Sequence, residues 1–418
     1  MKISAYWHLL RGNRNLRLLW TAQIVSEMGD WFYSVAIFSF LLELTGSAQM
    51  VALAFLMQVL PQVFMAPMAG VINDRISRRK VMIFADCARA GIVLSMILVR
   101  TRGMLPLLYV LLFLETVCWA LFEPGSRAVI PNITEDDEIP VANALSSATW
   151  SMNFTLGAGL GGLVLVTLGR ETVFVVDSLS FVASALLIRA MRFAEPHADL
   201  NPLRARDLMD FSPIAEGIRY VRRDRKLLAT IFVKGGVGLA GSNWVILPVL
   251  GERVFRVQVH GMNAAKAGAL GMSILLASRG VGAIVGSILG GNVAGTDRSR
   301  LRWTILAGFA MIGVGYVALG AAGSLFLAAL ALVVAHAGGS ACWTASSTLL
   351  QMQTEDRFRG RVFSAEFAFS MLTLSISSYT AGRVVDWGVD VRSVAVATGV
   401  VMLVPVGAWL VAGRAWRE

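Results

Sequence analysis

The chain is a succession of apolar runs, each about 20 residues or longer, separated by short connections that carry most of the charge. Crossing the hydrocarbon core of a bilayer takes about 20 mostly apolar residues in a helix. Lipid offers no partner for backbone N–H and C=O groups, so runs of this kind must close their hydrogen bonds internally. Twelve such helices are expected, near residues 18–44, 47–72, 81–99, 104–124, 141–168, 172–191, 227–250, 266–291, 302–321, 323–349, 361–382 and 391–412. A soluble chain would be roughly a quarter charged, whereas only 15% of these 418 residues are charged and 56% are hydrophobic. The expected class is an all-α integral membrane protein, with little chain left for a soluble domain.

The net charge of +10 would suit a nucleic acid only if it were gathered on one face. Instead, Lys and Arg alternate with the connections. The N-terminus, the C-terminus and every second connection hold 26. The opposite side holds 8, and Arg89, Lys234 and Arg279 lie inside helices, which accounts for all 37. The positive-inside rule then places both termini in the cytoplasm and requires an even number of spans. Nucleic acid is not an expected partner. Arg11, Arg14 and Arg17 before a long apolar run do not make a secretory signal, which needs a short apolar core and a small-residue cleavage site. Cys87, Cys118 and Cys342 fall inside apolar runs without paired spacing, and the four histidines are scattered, so neither a metal nor a cofactor is expected. The chain lacks H-E-x-x-H, any nucleophile with a plausible base, and G-x-x-x-x-G-K-[ST]; this argues against a membrane-embedded enzyme and against ATP-driven transport.

The longest connection, 192–226, separates residues 1–191 from 227–418, six helices each. Ser212-Pro213 resembles an N-cap followed by proline at the first helical position. Ile214, Ile218 and Val221 recur at helical spacing above Arg222, Arg223, Arg225 and Lys226, the pattern of a helix lying on the membrane surface. A solvated linker is the alternative. The halves match at an offset of 220: Gly70 falls on Gly290, Ser126 on Ser346, and Thr134-Glu135-Asp136 on Thr354-Glu355-Asp356. Duplicated halves around a central site are a common plan of secondary transporters.

The most specific motif is Gly70-Val71-Ile72-Asn73-Asp74-Arg75-Ile76-Ser77-Arg78-Arg79-Lys80, after helix 2. Glycine there would let the helix end turn tightly, Asp74 could cap a nearby helix, and the arginines would stay in water or pair with carboxylates. The segment resembles the loop signature of the major facilitator superfamily, G-x-x-x-D-R-x-G-R-R, with Ser77 in place of the second glycine. A narrower resemblance, to the drug:proton antiporter group that includes macrolide-efflux and enterobactin exporters, rests on four further segments. These are Phe122-Glu123-Pro124-Gly125-Ser126-Arg127-Ala128-Val129-Ile130-Pro131, Ala142-Asn143-Ala144-Leu145, Asp177-Ser178-Leu179-Ser180-Phe181 and Arg359-Gly360-Arg361-Val362. The resemblance implies two pseudo-symmetric six-helix bundles, a cavity lined by helices 1, 4, 7 and 10, and a cytoplasmic latch at Gly70, Asp74, Arg75, Arg78 and Arg79. It places Asp74 near the start of helix 11, around Arg359–Phe363, in the outward-open state. It also implies that helices 5 and 8 face each other, so that Gly157, Gly161, Gly282 and Gly286 form an inter-bundle contact; plain packing fits those glycines equally. The antiporter motif of helix 5, G-x-x-x-G-P-x-x-G-G, is incomplete, because Asn153 and Ala158 replace its first glycine and its proline.

Each ionisable side chain at mid-bilayer costs about 2.5–3.5 kcal/mol or more. Glu27 and Asp30 lie three apart on one face of helix 1, Glu115 with Trp119 in helix 4, Lys234 in helix 7, and His336 with Trp343 in helix 10. Given the implied cavity, Glu27, Asp30 and Glu115 are expected to couple transport to protons. Trp31, Trp119, Asn153, Lys234, His336 and Trp343 are expected to face substrate. A static pair of Glu27 or Asp30 with Lys234 is the alternative. Asp86, Arg89 and Arg279 are expected to pair structurally, and Gly235, Gly236, Gly238 and Gly241 to interrupt helix 7. The expected function is export of bulky amphipathic molecules (a drug, siderophore or metabolite) by proton-driven alternating access, from a monomer in the bacterial inner membrane. A lysophospholipid flippase on the same fold is the rival. A fluorescent protein fused after Glu418 should fluoresce in a bacterial host and a phosphatase fused there should be inactive; the opposite pattern would refute the charge-based orientation.

Overall fold

The computed structural model describes residues 3–195 except 136, then 216, 219–222, and 224–414 except 258, 259, 296, 356 and 357. A short helix, α1 (Ile3–Gly12), precedes the first predicted span. The first six predicted spans correspond to α2 (Arg14–Thr45), α3 (Ala48–Arg75), α4 (Arg78–Ser95), α5 (Leu105–Ile133), α6 (Ile139–Leu168) and α7 (Arg170–Arg189), and the later ones follow in the same order. Span 7 is α8 (Arg225–Gly238) and α9 (Asn243–Arg253), joined by a 3-10 turn. Spans 8 to 11 are α10 (Ala264–Ala294), α11 (Arg298–Ala321), α12 (Leu325–Gln353) and α13 (Arg359–Asp386). Span 12 is α14 (Val391–Val401) with α15 (Leu403–Arg414). Among the described residues, ten helical segments are long and apolar enough to cross a membrane. Helices α2 and α13 have 32 and 28 residues, long enough to cross, but their polar and charged residues together keep their mean hydropathy too low to count. Helix α5 runs through Pro124 and Pro131, well past the predicted end at 124. Proline is tolerated in such helices because neighbouring groups satisfy the freed carbonyls.

Contacts divide the chain into one unit of residues 1–37 and 57–210 and another of 38–56 and 211–418. In the first unit, Leu9, Leu16, Met82, Phe122, Val129 and Ile188 form a core between α1, α2, α4, α5 and α7. In the second, the 3-10 turn Leu239–Ser242 interrupts the seventh span where its glycines predict a break. The exposed backbone is answered by hydroxyls of α13. Ser377 Oγ donates to Leu239 O at 2.6 Å, Ser378 Oγ donates to Gly241 O at 2.7 Å, and the Ser242 amide donates to Ser377 Oγ at 3.0 Å. Gly238 and Gly241 admit α13 at this distance: a Cβ on Gly238 would lie 2.2 Å from Thr373 Oγ1, and one on Gly241 2.5 Å from Leu374 O. The serines that make α13 a weak hydropathy candidate are therefore the groups that hold the broken span.

The repeat extends to individual hydrogen bonds. Ser126 Oγ donates to Glu123 O and Thr134 Oγ1 to Ile130 O. At the same offset, Ser346 Oγ donates to Trp343 O and Thr354 Oγ1 to Leu350 O. The linker helix expected from Ser212, Pro213, Ile214 and Ile218 lies outside the described residues. Val221 is buried against Leu227, Ile231, Leu350 and Val362.

One expectation is corrected. Gly70 sits in the last turns of α3 without a positive φ; the left-handed glycines are 46, 169, 261, 295 and 388, so no tight turn depends on Gly70. Each of the four packing glycines has close neighbours within its own unit. Gly157 and Gly161 abut Trp31 and Phe32 of α2, at 2.7 and 2.8 Å, while Gly282 and Gly286 abut Val333 and Ala337 of α12, at 2.5 and 2.0 Å. Gly286→Ala should lower the melting temperature in detergent, since its methyl meets a backbone carbonyl and overpacking costs about 1–3 kcal/mol. Gly291→Ala, with nothing within 4 Å, should leave it unchanged or higher. Equal melting of both variants would contradict this packing.

Candidate functional site

The first unit encloses Arg89 (α4), 1% exposed, among carboxylates from three other helices and its own. Arg89 Nη2 donates to Asp30 Oδ1 of α2 at 2.5 Å, and Nε donates to Glu115 Oε1 of α5 at 2.8 Å. Nη1 lies 3.8 Å from Asp86 Oδ1, one turn earlier on α4, and the guanidinium sits 4.0 Å from the centre of the Phe181 ring of α7. Tyr33 OH donates to Glu115 Oε2 at 3.1 Å. Asp177 of α7 completes the group, fully buried and accepting from Ser180 Oγ at 3.3 Å. Gly29 makes room for it: a Cβ there would fall 2.1 Å from Asp177 Oδ1. Both Asp86 carboxylate oxygens and Asp177 Oδ2 are buried without a hydrogen-bond partner among the described residues.

Glu27, one turn from Asp30, has a different environment. Gln23 Nε2 donates to its Oε1 at 2.8 Å and Asn153 Nδ2 of α6 donates to its Oε2 at 3.0 Å. Two neutral amides thus hold a half-buried carboxylate. Next to it Trp31 packs on Phe154, centroids 4.3 Å apart, and both approach Trp150 at 6.2 and 6.1 Å. The expected sharing of one site by Glu27 and Asp30 is not what forms; they share a face of α2, but each side chain takes its own partners. Trp119 is half-buried on α5.

The second unit holds a separate pair. Lys234 Nζ donates to Glu366 Oε2 of α13 at 2.6 Å, and it lies 4.4 Å from the Trp343 ring and 5.5 Å from that of Phe363. Glu366 is fully buried. Lys234 thus has its carboxylate partner within its own unit. His336 Nε2 shares a hydrogen bond with Tyr316 OH at 3.0 Å, and Arg279 stacks 3.8 Å from the centre of the Trp244 ring. No group of three or more His, Cys, Asp or Glu side chains is placed to hold a metal ion among the described residues.

At the other end of α3, Asp74 is 72% exposed and 3.7 Å from Arg78. Neither Arg78 nor Arg79 is left to water. Arg78 Nη1 donates to Ala128 O at 2.7 Å and to Asn132 Oδ1 at 3.0 Å, and Arg79 Nη1 donates to Met191 O at 2.8 Å. Arg78 meets the last two turns of α5, and Arg79 meets a carbonyl just beyond α7, where a cation also meets the negative end of the helix dipole. Arg75 closes α3, half-buried.

Sequence reasoning missed Asp177 and Glu366 as charges and set Asp86 and Arg89 apart as a structural pair. The signal was present in the cost of burying any carboxylate; it was set aside because helices 3, 6 and 11 are not among those implied to line a cavity.

A family model for transmembrane secretion effectors matches residues 5–414. The chain belongs to that family, within the major facilitator superfamily. It is a membrane transporter and not an enzyme. It is 26% identical to the MFS-type transporter YkuC of Bacillus subtilis, over 73% of this chain and 71% of that one. It is 22% identical to the putative bacilysin exporter BacE of the same organism, over 84% and 82%. Macrolide efflux protein A of Streptococcus pyogenes is 25% identical over 51% of this chain and 53%, about half, of its own length. Among solved structures, a bacterial homologue of the human lysosomal transporter Spinster superposes with a TM-score of 0.70 at 15% identity, covering 99% and 98% of the two chains. The nucleoside transporter NupG superposes at 0.72 with 12% identity, covering 95% and 99%. These two share the fold.

Removing Arg89 strands two hydrogen-bonded carboxylates, and breaking a buried pair in this way costs about 3–5 kcal/mol. Arg89→Leu should therefore melt far below the parent in detergent, and Arg89→Lys, which keeps the charge but loses the planar fork, should fall in between. An Arg89→Leu protein as stable as the parent would show that the cluster is not held by its cation.

Proposed function

We propose that this protein is a proton-driven secondary exporter of bulky amphipathic molecules, working by alternating access from the inner membrane. The observation that carries this reading is the cluster around Arg89: four buried or largely buried carboxylates, Asp30, Asp86, Glu115 and Asp177, against one guanidinium. One cation cannot balance four carboxylates in low dielectric, and protons are the smallest counter-charge that can be taken up and released in a cycle. Glu27 supplies a second acidic site beside aromatic surface. A carboxylate held by neutral amides has no built-in cation, and the Trp31, Trp150 and Phe154 rings provide apolar area and π-faces. That combination suits an amphipathic molecule that carries a basic amine. The efflux and export activities named for two relatives agree with the direction of transport.

In the cycle, a proton entering the cluster would loosen the hold of Arg89 on Asp30 or Glu115, and substrate leaving Glu27 would free a carboxylate on the same helix. The two events are joined through α2, which carries both Glu27 and Asp30 one turn apart. A lysophospholipid flippase differs in its energetics, because flipping down a gradient requires no pH difference.

In proteoliposomes with an imposed pH gradient, uphill movement of a basic amphipathic dye should collapse at least tenfold in Glu27→Gln, Asp30→Asn or Glu115→Gln. In the variant that carries the coupling, downhill exchange of the same dye should persist. If all three variants keep gradient-driven accumulation, coupling through these carboxylates is excluded. Movement of labelled lysolipid without a pH gradient, with no dye accumulation, would establish the flippase instead.

A further inference from the structure

The turn between α2 and α3 is held by a side chain that no sequence motif accounts for. Asp386, the last residue of α13, accepts from the Ala48 amide at 2.8 Å through Oδ1 and from the Gln49 amide at 3.1 Å through Oδ2, and it also accepts from the Ser47 hydroxyl. Those amides are the first two of α3, so a residue at the end of one helix caps the start of another that lies more than 330 positions away in the chain. The first amides of a helix have no partner within it, and a carboxylate also meets the positive end of the helix dipole. Further bonds surround the cap. Arg383 Nη1 donates to Gln49 Oε1 at 3.1 Å, and Arg253 Nη2 donates to Gly46 O at 2.6 Å.

Two features suit this contact to repeated breaking. Asp386 is exposed, so water can replace each of its bonds and the cap is weak individually. Beneath it the two helices meet through small residues. A Cβ on Gly382 would lie 2.9 Å from Ala52 Cβ and 3.0 Å from Ala48 O, and Ala48 and Ala52 are fully buried. Helices in contact through glycine and alanine part without withdrawing interlocked side chains. At its far end, α3 carries a second carboxylate, Asp74, which stands 72% exposed. The two ends of one helix are thus in contrasting states, with a docked acid at one and a solvated acid at the other.

We propose that Asp386 is a latch residue of the transport cycle: its carboxylate holds the N-terminus of α3 to the C-terminus of α13 in one state and lets it go in another. The proposal rests on the alternating-access reading above. Its test reads the contact itself. With Cys87, Cys118 and Cys342 replaced by serine, a reporter Ala52→Cys is labelled with a membrane-impermeant maleimide from the face opposite the termini. Asp386→Asn turns an amide N–H₂ toward donors and loses part of the cap. Labelling should rise about fivefold to tenfold, as expected for a lost N-cap, and Asp386→Glu, which keeps the carboxylate, should stay near the parent. In a second measurement, Ser47→Cys with Asp386→Cys should stop net transport on oxidation and regain it on reduction. Parental labelling in both Asp386→Asn and Asp386→Ala, or full transport by the oxidised pair, would make Asp386 a static cap and overturn the proposal. Raised labelling in a protein that moves no dye would support the latch while refuting the export reading.

Discussion

The first unit depends on a single buried cation. Arg89 reaches α2 through Asp30 and α5 through Glu115, and it rests on α7 through Phe181. In water such pairs contribute little, but inside a bilayer an unpaired guanidinium or carboxylate is far more costly than a paired one. The four helices are therefore tied through one side chain whose partners cannot be withdrawn singly. Gly29 belongs to the same arrangement, because only a residue without a Cβ lets the Asp177 carboxyl lie against α2.

The second unit is held differently. Its polar groups include many hydroxyls that answer backbone, as where α13 serines satisfy the interrupted seventh span, and Lys234 forms a buried ion pair with Glu366. The duplication makes this difference informative. At an offset of 220, Asp30, Asp86, Arg89, Glu115 and Asp177 fall on Leu250, Leu306, Phe309, Ala335 and Ala397. The helix-end hydrogen bonds of Ser126 and Thr134 are repeated, while the charge cluster is not. What the halves share is scaffold, and the acidic chemistry belongs to one of them.

The helices were legible because each is an apolar run with a length set by the bilayer, a signal contained in consecutive residues. The departures have local causes. Helix α5 runs past Pro124 because lipid-embedded helices tolerate proline, and the Gly70 segment is helix and not loop because its connection shrinks to Ile76 and Ser77. The candidate site was legible in part. Cost together with the implied cavity singled out Glu27, Asp30, Glu115 and Lys234, and cost applied evenly would have included Asp177 and Glu366. Partners were not legible. Asp30 and Glu27 share a helical face, yet one turns to Arg89 and the other to Asn153.

By itself, then, the sequence determined that the chain is built of membrane helices, that two of its segments match at an offset of 220, and that a few helices carry charges which lipid would not tolerate unpaired. Each of these follows from composition, spacing or period along the chain. The tertiary structure decided which acid meets which base, that Arg78 and Arg79 cap the ends of neighbouring helices, and that Asp386 reaches the start of α3. Those pairings join residues from 26 to more than 330 positions apart. They depend on which turn of one helix lies against which turn of another, a matter settled by close approach at glycine and by side-chain reach rather than by any pattern along one strand of sequence.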